Sequence, residues 1–384
     1  MPTQPSISIT VTEAIQTVNQ SKPNYFEGID DETTRQRQLL DMLKRKDRIS
    51  YNAGGSSINI WTCDVDEPPI KPWGSGTGAN YAQRPYEIKY VQDWGGYMGT
   101  DYWDKYQETI LGGAAGKKLQ IYNYYDRIFK KLKTAYMNSL HGEFFINGLS
   151  SGNDKRFWGI ETVFGTSSTT VAADKIAKLS NTYANQPVAL GGLGSTTWTA
   201  DLGTFPNASV ATDWPEGQGA AKYDAGSPLW MNTSSSSYNT GSTQWKDNCE
   251  KILRQAIDWQ NRLSGKDGGC EYVMMAQNYF TQLKDYLSAK WQAVLPHKPS
   301  MDWGFTGTID FEGVPVRAEW DCPVDRFYFF NLDSIELVFC GPEMTETEGP
   351  KFDMNALGYL FLLLSAGNYR FKHLKGLGKA TAVA

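Results

Sequence analysis

The sequence has 384 residues, enough for one large core or for two to three domains. A formal net charge of −5 argues against a dedicated nucleic-acid binder, for which a basic surplus is expected, and leaves room only for one basic face. The five cysteines, Cys63, Cys249, Cys270, Cys322 and Cys340, are widely spaced without a C-x-x-C pair, so reduced, mostly buried thiols are expected in place of a zinc site or a disulfide framework.

Residues 1–30 are polar and read as extended. They lack a basic stretch followed by an apolar run, so no leader is expected. Asp31 to Lys46 has a helical pattern with acids first and Lys44, Arg45 and Lys46 last, matching the helix dipole. Leu39, Leu40 and Leu43 give it a narrow apolar stripe that needs a surface to dock on. Residues 48–63 read as a strand broken at Gly54-Gly55, and Tyr86 to Val91 alternates again. With the Pro- and Gly-rich stretch between them, they predict a long β-hairpin with a broad tip. Such a hairpin is marginal alone in water. Its aromatics therefore need a partner surface, within the chain or on a neighbouring subunit, and Trp61, Trp73, Tyr81, Trp94 and Tyr97 are the candidate subunit contacts.

Lys117 to Phe145 is the clearest helix, with Ile121, Tyr125, Ile128, Leu132, Tyr136 and Leu140 recurring at steps of three and four. Gly148 is a candidate cap for its end. Arg127, Lys130 and Lys131 share one side of the helix, which is either a solvated face or a surface toward nucleic-acid phosphates. Residues 165–245 are rich in Gly, Ser and Thr and predict loops and short strands. A helix follows over Gln244–Leu263, then a buried strand over Cys270–Ala276, then a second helix capped by Asn278 with Phe280, Leu283, Leu287 and Trp291 inward. Short strands follow at Thr308–Phe311, Gly313–Val316, Phe327–Phe330 and Ile335–Phe339. The apolar run Ala356–Ala366 is too short to span a membrane and leads to a last strand, Tyr369–Lys372.

No motif assembles a catalytic set. Gly148-Leu149-Ser150-Ser151-Gly152 matches G-x-S-x-G, but that motif needs a strand before it, and here a helix precedes. His141, His297 and His373 form no metal-ligand spacing, and Asp64, Asp66 and Glu67 lack an EF-hand pattern. Gly376-Leu377-Gly378-Lys379 lacks the spacing of a phosphate loop. No metal or cofactor is expected.

The order of elements is similar to that of the tailed-bacteriophage major capsid proteins: N-terminal arm, extended hairpin, long helix, axial domain and return strands. Phe157-Trp158-Gly159-Ile160-Glu161-Thr162-Val163-Phe164 resembles the segment after the long helix in that family. Trp245–Arg262 with Tyr272-Val273-Met274-Met275 resembles the axial helix and strand. Phe311–Val316, Pro323, Asn331-Leu332 and Tyr369–Thr381 resemble the return strands. The resemblance implies an α+β fold of the Hong Kong 97 type. It divides the chain into an arm (1–47), an E-loop (48–110), and a spine helix with the first part of the peripheral domain (111–164). The axial domain with its return strands (165–340) and a C-terminal peripheral segment (341–384) complete it. It further implies a structural protein rather than an enzyme. This protein would self-assemble as hexamers and pentamers into an icosahedral shell around double-stranded DNA, in the host cytoplasm, with scaffolding and portal partners and no membrane. Arg127, Lys130 and Lys131 would then face the packaged DNA, and Tyr369–Lys372 would pack beside the Lys117–Phe145 helix. The main alternative is a carbohydrate-binding protein using Trp and Tyr in the loops at 191–245; a hydrolase using Ser150 is a further one.

Overall fold

The computed structural model describes residues 38–64, 87–105, 117–164, 175–178, 182–183, 186–187, 198–201, 228–233, 244–264, 269–291 and 308–381. In chain order the elements begin with helix α1 (Gln38–Arg45) and strands β1 (Ile49–Ser50), β2 (Ile58–Asp64), β3 (Glu87–Gln92) and β4 (Gly95–Asp104). Helices α2 (Lys117–Glu143) and α3 (Glu161–Phe164) follow, then β5 (Lys175–Lys178), β6 (Thr182–Tyr183), β7 (Gln186–Pro187), β8 (Trp198–Asp201) and β9 (Leu229–Asn232). Next come α4 (Trp245–Ser264), β10 (Tyr272–Met275), α5 (Gln277–Trp291), β11 (Thr308–Phe311), β12 (Val314–Ala318) and β13 (Arg326–Phe330). The chain closes with β14 (Ile335–Phe339), β15 (Glu346–Asp353), β16 (Gly358–Phe371) and β17 (Leu377–Thr381). The described residues form two compact units, one from Tyr97–Ser139 and Glu343–Ser365 and the other from Gln36–Gly96, Leu140–Pro342 and Ala366–Ala384.

In the first unit, the apolar stripe of α2 packs on the sheet. Ile128, Trp103 from β4 and Phe361 from β16 form its buried centre, with Phe129, Leu132 and Tyr359 around them. Tyr136, two turns beyond Ile128, shares a hydrogen bond of 2.6 Å with Ser365. β15 pairs antiparallel with the first part of β16, from Glu346↔Leu364 to Asp353↔Gly358, with a bulge between Glu348 and Lys351. This strand pair was not legible as such. β15 reads Glu-Thr-Glu-Gly-Pro-Lys-Phe-Asp and is exposed on both faces, so it carries no alternation.

The second unit is built on an eight-stranded sheet of order β11-β12-β10-β13-β17-β9-β5-β8. β10 is fully buried and pairs parallel with β12 and antiparallel with β13. Helices α4 and α5 cover one face through Ile252, Leu253, Ala256, Phe280 and Leu283. Glu312 and Gly313 both take positive φ (51° and 84°), and the two-residue turn they form pairs Phe311 with Val314. β2 and β3 form the expected antiparallel hairpin, and its tip lies outside the described residues. A second set of strands joins β1, β14 and the last part of β16, with Ile335↔Phe371 and Leu337↔Tyr369 in register. The stripe of α1 docks on β14, with Leu39, Leu40 and Leu43 buried.

Several boundaries differ from the sequence expectation. Residues 49–50 do not continue the hairpin; they pair in parallel with β14. Ala356–Ala366 and Tyr369–Lys372 are not separate elements, because β16 runs unbroken from Gly358 to Phe371. Leu377–Thr381, which fails as a phosphate loop and falls in the segment that resembles the return strands, is a fully buried strand. Asn278 lies inside the first turn of α5 and donates to Asp325 at 2.6 Å, so it is not the cap. Gly148 is not a cap either: a Cβ there would strike the Trp158 ring, so the requirement is close packing. The expected contact between Tyr369 and the long helix is present at the helix end. Tyr369 Oη donates to the Leu140 carbonyl at 2.9 Å, and Phe144 sets its ring edge-on to Tyr369, centroids 5.3 Å apart.

Candidate functional site

The residues with the most unusual environment lie inside the second unit. Along β13, Arg326 and Tyr328 share one face by strand alternation, while Phe327 and Phe329 enter the helix-covered core on the other. Lys379 lies across from Tyr328 on β17. All three point at Glu161, the first residue of α3. Arg326 reaches Oε1 at 3.0 Å, Lys379 reaches Oε2 at 2.5 Å, and the Tyr328 hydroxyl donates to Oε1. Lys379 also sits over the Trp230 ring, 4.8 Å from its centroid. Burial lowers the pKa of the Lys379 ammonium and the Glu161 charge opposes this; burial raises the Tyr328 hydroxyl well above its ordinary range. The three donors converge on the Glu161 carboxyl oxygens, tying together segments far apart in sequence.

A second cluster forms around His141. The ring is fully buried, with Nδ1 donating to Asp321 at 2.8 Å and Nε2 lying 2.9 Å from Glu319. Sequence reasoning found only that His141 forms no metal-ligand spacing with the other histidines; the structure buries it against the loop between β12 and β13. Burial favours the neutral ring, but the hydrogen bonds and charges of Asp321 and Glu319 outweigh it and raise the pKa. A third cluster joins Glu336 on β14 to Arg370 and Lys372, with Ser50 of β1 donating to its other oxygen. The sequence signal for all three was a charge placed inside an apolar run, as at Glu161 and Lys379.

The turn at Ser150 follows a helix and not a strand, so it lacks the geometry of a nucleophile elbow. Burial pushes the Cys270 thiol up to about 12 and raises Cys322 well above the ordinary range, which removes thiolate character. Cys270, Cys322 and Cys340 are free. Among the described residues, no group of three ligating side chains fits a metal ion, and no helix is long and apolar enough to cross a membrane.

The surface is more distinctive. Among the described residues, Met98, Tyr102, Phe352, Met354, Leu357 and Leu360 of the first unit are exposed, Met354 by 81% and Leu357 by 64%. Four of them cluster at the turn between β15 and β16, and Tyr102 joins them by donating to the Ala356 carbonyl. Leu357 adopts a left-handed φ of 50°, unfavourable for a bulky side chain. Sequence reasoning missed this patch because it falls at a turn and carries no periodic pattern.

The residues singled out from the sequence are dispersed. Trp61 lies in β2 opposite Tyr90, and Trp73 and Tyr81 lie outside the described residues. Trp94 is half-buried and donates to the Gly55 carbonyl at 2.9 Å. Tyr97 is half-buried, edge-on to Tyr136. On α2, Arg127 is half-buried while Lys130 and Lys131 are exposed. His297 and most of the loops at 191–245 lie outside the described residues.

No family model and no curated protein matches the chain. Solved structures do. The capsid asymmetric unit of cyanophage A-1(L) superposes with a TM-score of 0.52 at 12% identity, over 95% of this chain and 99% of that one. The capsid structure of cyanophage P-SCSP1u gives a TM-score of 0.53 at 8% identity, over 93% of this chain and 92% of that one. At such identities the likeness is one of fold, and it spans nearly the whole of both chains. The chain therefore has the α+β, Hong Kong 97-type fold of tailed-phage major capsid proteins.

Proposed function

We propose that the chain is a major capsid protein that self-assembles as hexamers and pentamers into the icosahedral shell of a tailed phage, enclosing double-stranded DNA. The observation that carries this reading is the fold, shared almost end to end with two phage capsid subunits. The exposed apolar turn at Phe352–Leu360 supports it, since contiguous apolar surface of this kind marks contact sites. In this reading residues 48–110 are the E-loop, and Trp61, Trp73, Tyr81, Trp94 and Tyr97 join the turn in subunit contacts. Arg127, Lys130 and Lys131 face the DNA and bind phosphate without reading sequence. Scaffolding and portal proteins assist assembly in the host cytoplasm. Negative-stain electron microscopy of the expressed protein, with scaffold added where needed, is expected to show shells, capsomers or tubes. A monodisperse monomer under every assembly condition overturns the reading.

A further inference from the structure

The connection from α2 to α3 contains Asn147-Gly148, the only Asn-Gly pair in the sequence. Both residues are set by local packing. A side chain at Gly148 would strike the Trp158 ring, so glycine is what fits. The Asn147 side chain accepts from the Leu149 N–H at 2.9 Å through Oδ1, the local bond that suits asparagine to turns. The same pair carries a chemical liability, because asparagine is thermolabile. Glycine has no Cβ to shield its nitrogen, so that nitrogen can reach the side-chain carbonyl carbon of the asparagine before it.

The reaction needs only water and solvent base. The Gly148 nitrogen gives its proton to the base and bonds to Asn147 Cγ, and Nδ2 leaves as ammonia with a proton from water. The product is a cyclic imide. Water then adds to one of its carbonyl carbons and breaks that carbon's bond to nitrogen. Addition at Cγ gives aspartate; addition at the main-chain carbon gives isoaspartate, with the chain routed through the former side chain. In the folded protein the peptide plane between the two residues is held on both edges. The buried Gly148 N–H donates to Thr162 Oγ1 at 2.8 Å, and the Thr162 hydroxyl donates in turn to the Ile146 carbonyl at 3.4 Å. The Asn147 carbonyl accepts from Asn153 Nδ2 at 2.9 Å and from the Ser150 N–H at 3.3 Å. Helical and extended backbones hold the nitrogen out of line with Cγ, so the plane has to turn before the ring can close. Turning it breaks these bonds together and takes a buried N–H from its acceptor.

We propose that Asn147-Gly148 is a latent self-modification site, held inert by the closed turn and converted to aspartate and isoaspartate in any chain whose turn stays open. The rate follows the fraction of time the turn is open, since local opening occurs without global unfolding. Isoaspartate cannot rebuild the same turn: the main chain is one carbon longer, and the side-chain oxygen that served Leu149 is gone. A chain that lingers open here is therefore marked chemically. The site lies within one unit and stands apart from the shell reading.

Peptide mapping of the full chain by mass spectrometry follows Asn147, with conversion read as the mass change from amide to acid and isoaspartate as a separately eluting peptide. At pH 8 and 37 °C, the wild-type chain in native buffer is expected to convert at least tenfold more slowly than in urea above its unfolding transition. Thr162→Val removes the acceptor and keeps the shape. It is expected to speed conversion in native buffer about tenfold, the scale of one lost hydrogen bond to a buried group. Thr162→Ser keeps the hydroxyl and is expected to stay protected. Ile252→Val weakens the core under α4, away from the turn, and is expected to leave Asn147 protected, which separates opening of the turn from global unfolding. Asn153→Ala, which removes a donor to the Asn147 carbonyl, serves if Thr162→Val does not fold. Conversion of the native wild type at the rate seen in urea overturns the proposal, as do wild-type rates in both Thr162→Val and Asn153→Ala. Acceleration in Thr162→Ser or Ile252→Val equal to that in Thr162→Val overturns it as well.

Discussion

Glu161 and Glu336 are both buried carboxylates held by several donors, and their energetics differ in a testable way. For Glu336, burial raises the pKa, but hydrogen bonds from Arg370, Lys372 and Ser50 outweigh it and bring the value down from 4.5 to about 2. A carboxylate with a depressed folded value stabilises the fold above its unfolded value, and that stability is lost as pH falls from 4.5 through about 2. The shift corresponds to about 3 kcal/mol at neutral pH. Glu336→Gln is expected to lower the unfolding free energy measured by urea at pH 7 by that order, with the gap from wild type closing as pH approaches 2. A gap independent of pH would mean the carboxylate charge is not what matters. Glu161 instead anchors two cations, so removing it strands Arg326 and leaves Lys379 over the Trp230 ring without its carboxylate. Glu161→Ala is expected to cost about 3–5 kcal/mol, the range for breaking a buried pair by removing one partner. Replacing Lys379 by Met at the same time should recover part of that loss, because one stranded charge is then gone. Chemical denaturation of the single and double variants measures both.

At the scale of elements, the β15–β16 turn combines two costs. Leu357 is exposed and takes a left-handed backbone that disfavours a bulky residue by about 1–2 kcal/mol. An isolated subunit would be better served by asparagine, which tolerates that conformation and is polar. Leu357→Asn is therefore expected to raise subunit stability by about 1 kcal/mol while weakening assembly, read as a lower shell yield by sedimentation. Equal shell yield would remove this turn from the contact surface. Such a site is invisible to periodicity, whereas the elements with a strong period were legible. The stripe through Ile128, Leu132, Tyr136 and Leu140 fixed the long helix, and strands β11 and β14 fell at the expected residues. β15 was missed, and β17 was reached only through the resemblance of Tyr369–Thr381 and not through its own pattern. β15 is charged and exposed, and β17 is a short Leu-Gly-Lys-Ala-Thr whose strand character comes only from pairing with β13 and β9. The buried clusters were missed because a lone His or Glu in sequence does not reveal which distant residues will meet it.

For the whole molecule, the order of elements carried more information than any one motif, and the fold it implied is the fold observed. Order survives where identity has fallen to 8–12% because packing requires only apolar volume at the right positions, not particular residues. The charge distribution tests how far the shell reading extends. With a net charge of −5, a subunit repels DNA on average, so any attraction must be confined to one face. Lys130 and Lys131 lie exposed on α2, one turn from the half-buried Arg127. If that face meets phosphate, each cation releases counterions, and the dependence of binding on salt flattens by roughly 0.9 in log–log slope per contact removed. The double variant Lys130→Glu, Lys131→Glu is therefore expected to form shells of normal appearance that retain less nucleic acid. Its slope should be flatter by roughly 2, measured as DNA retained against salt concentration. Normal shells with unchanged nucleic-acid content would place this helix face away from the DNA. Loss of shells with capsomers still formed would place it in a contact between capsomers, because only contacts outside the capsomer would then depend on the two lysines.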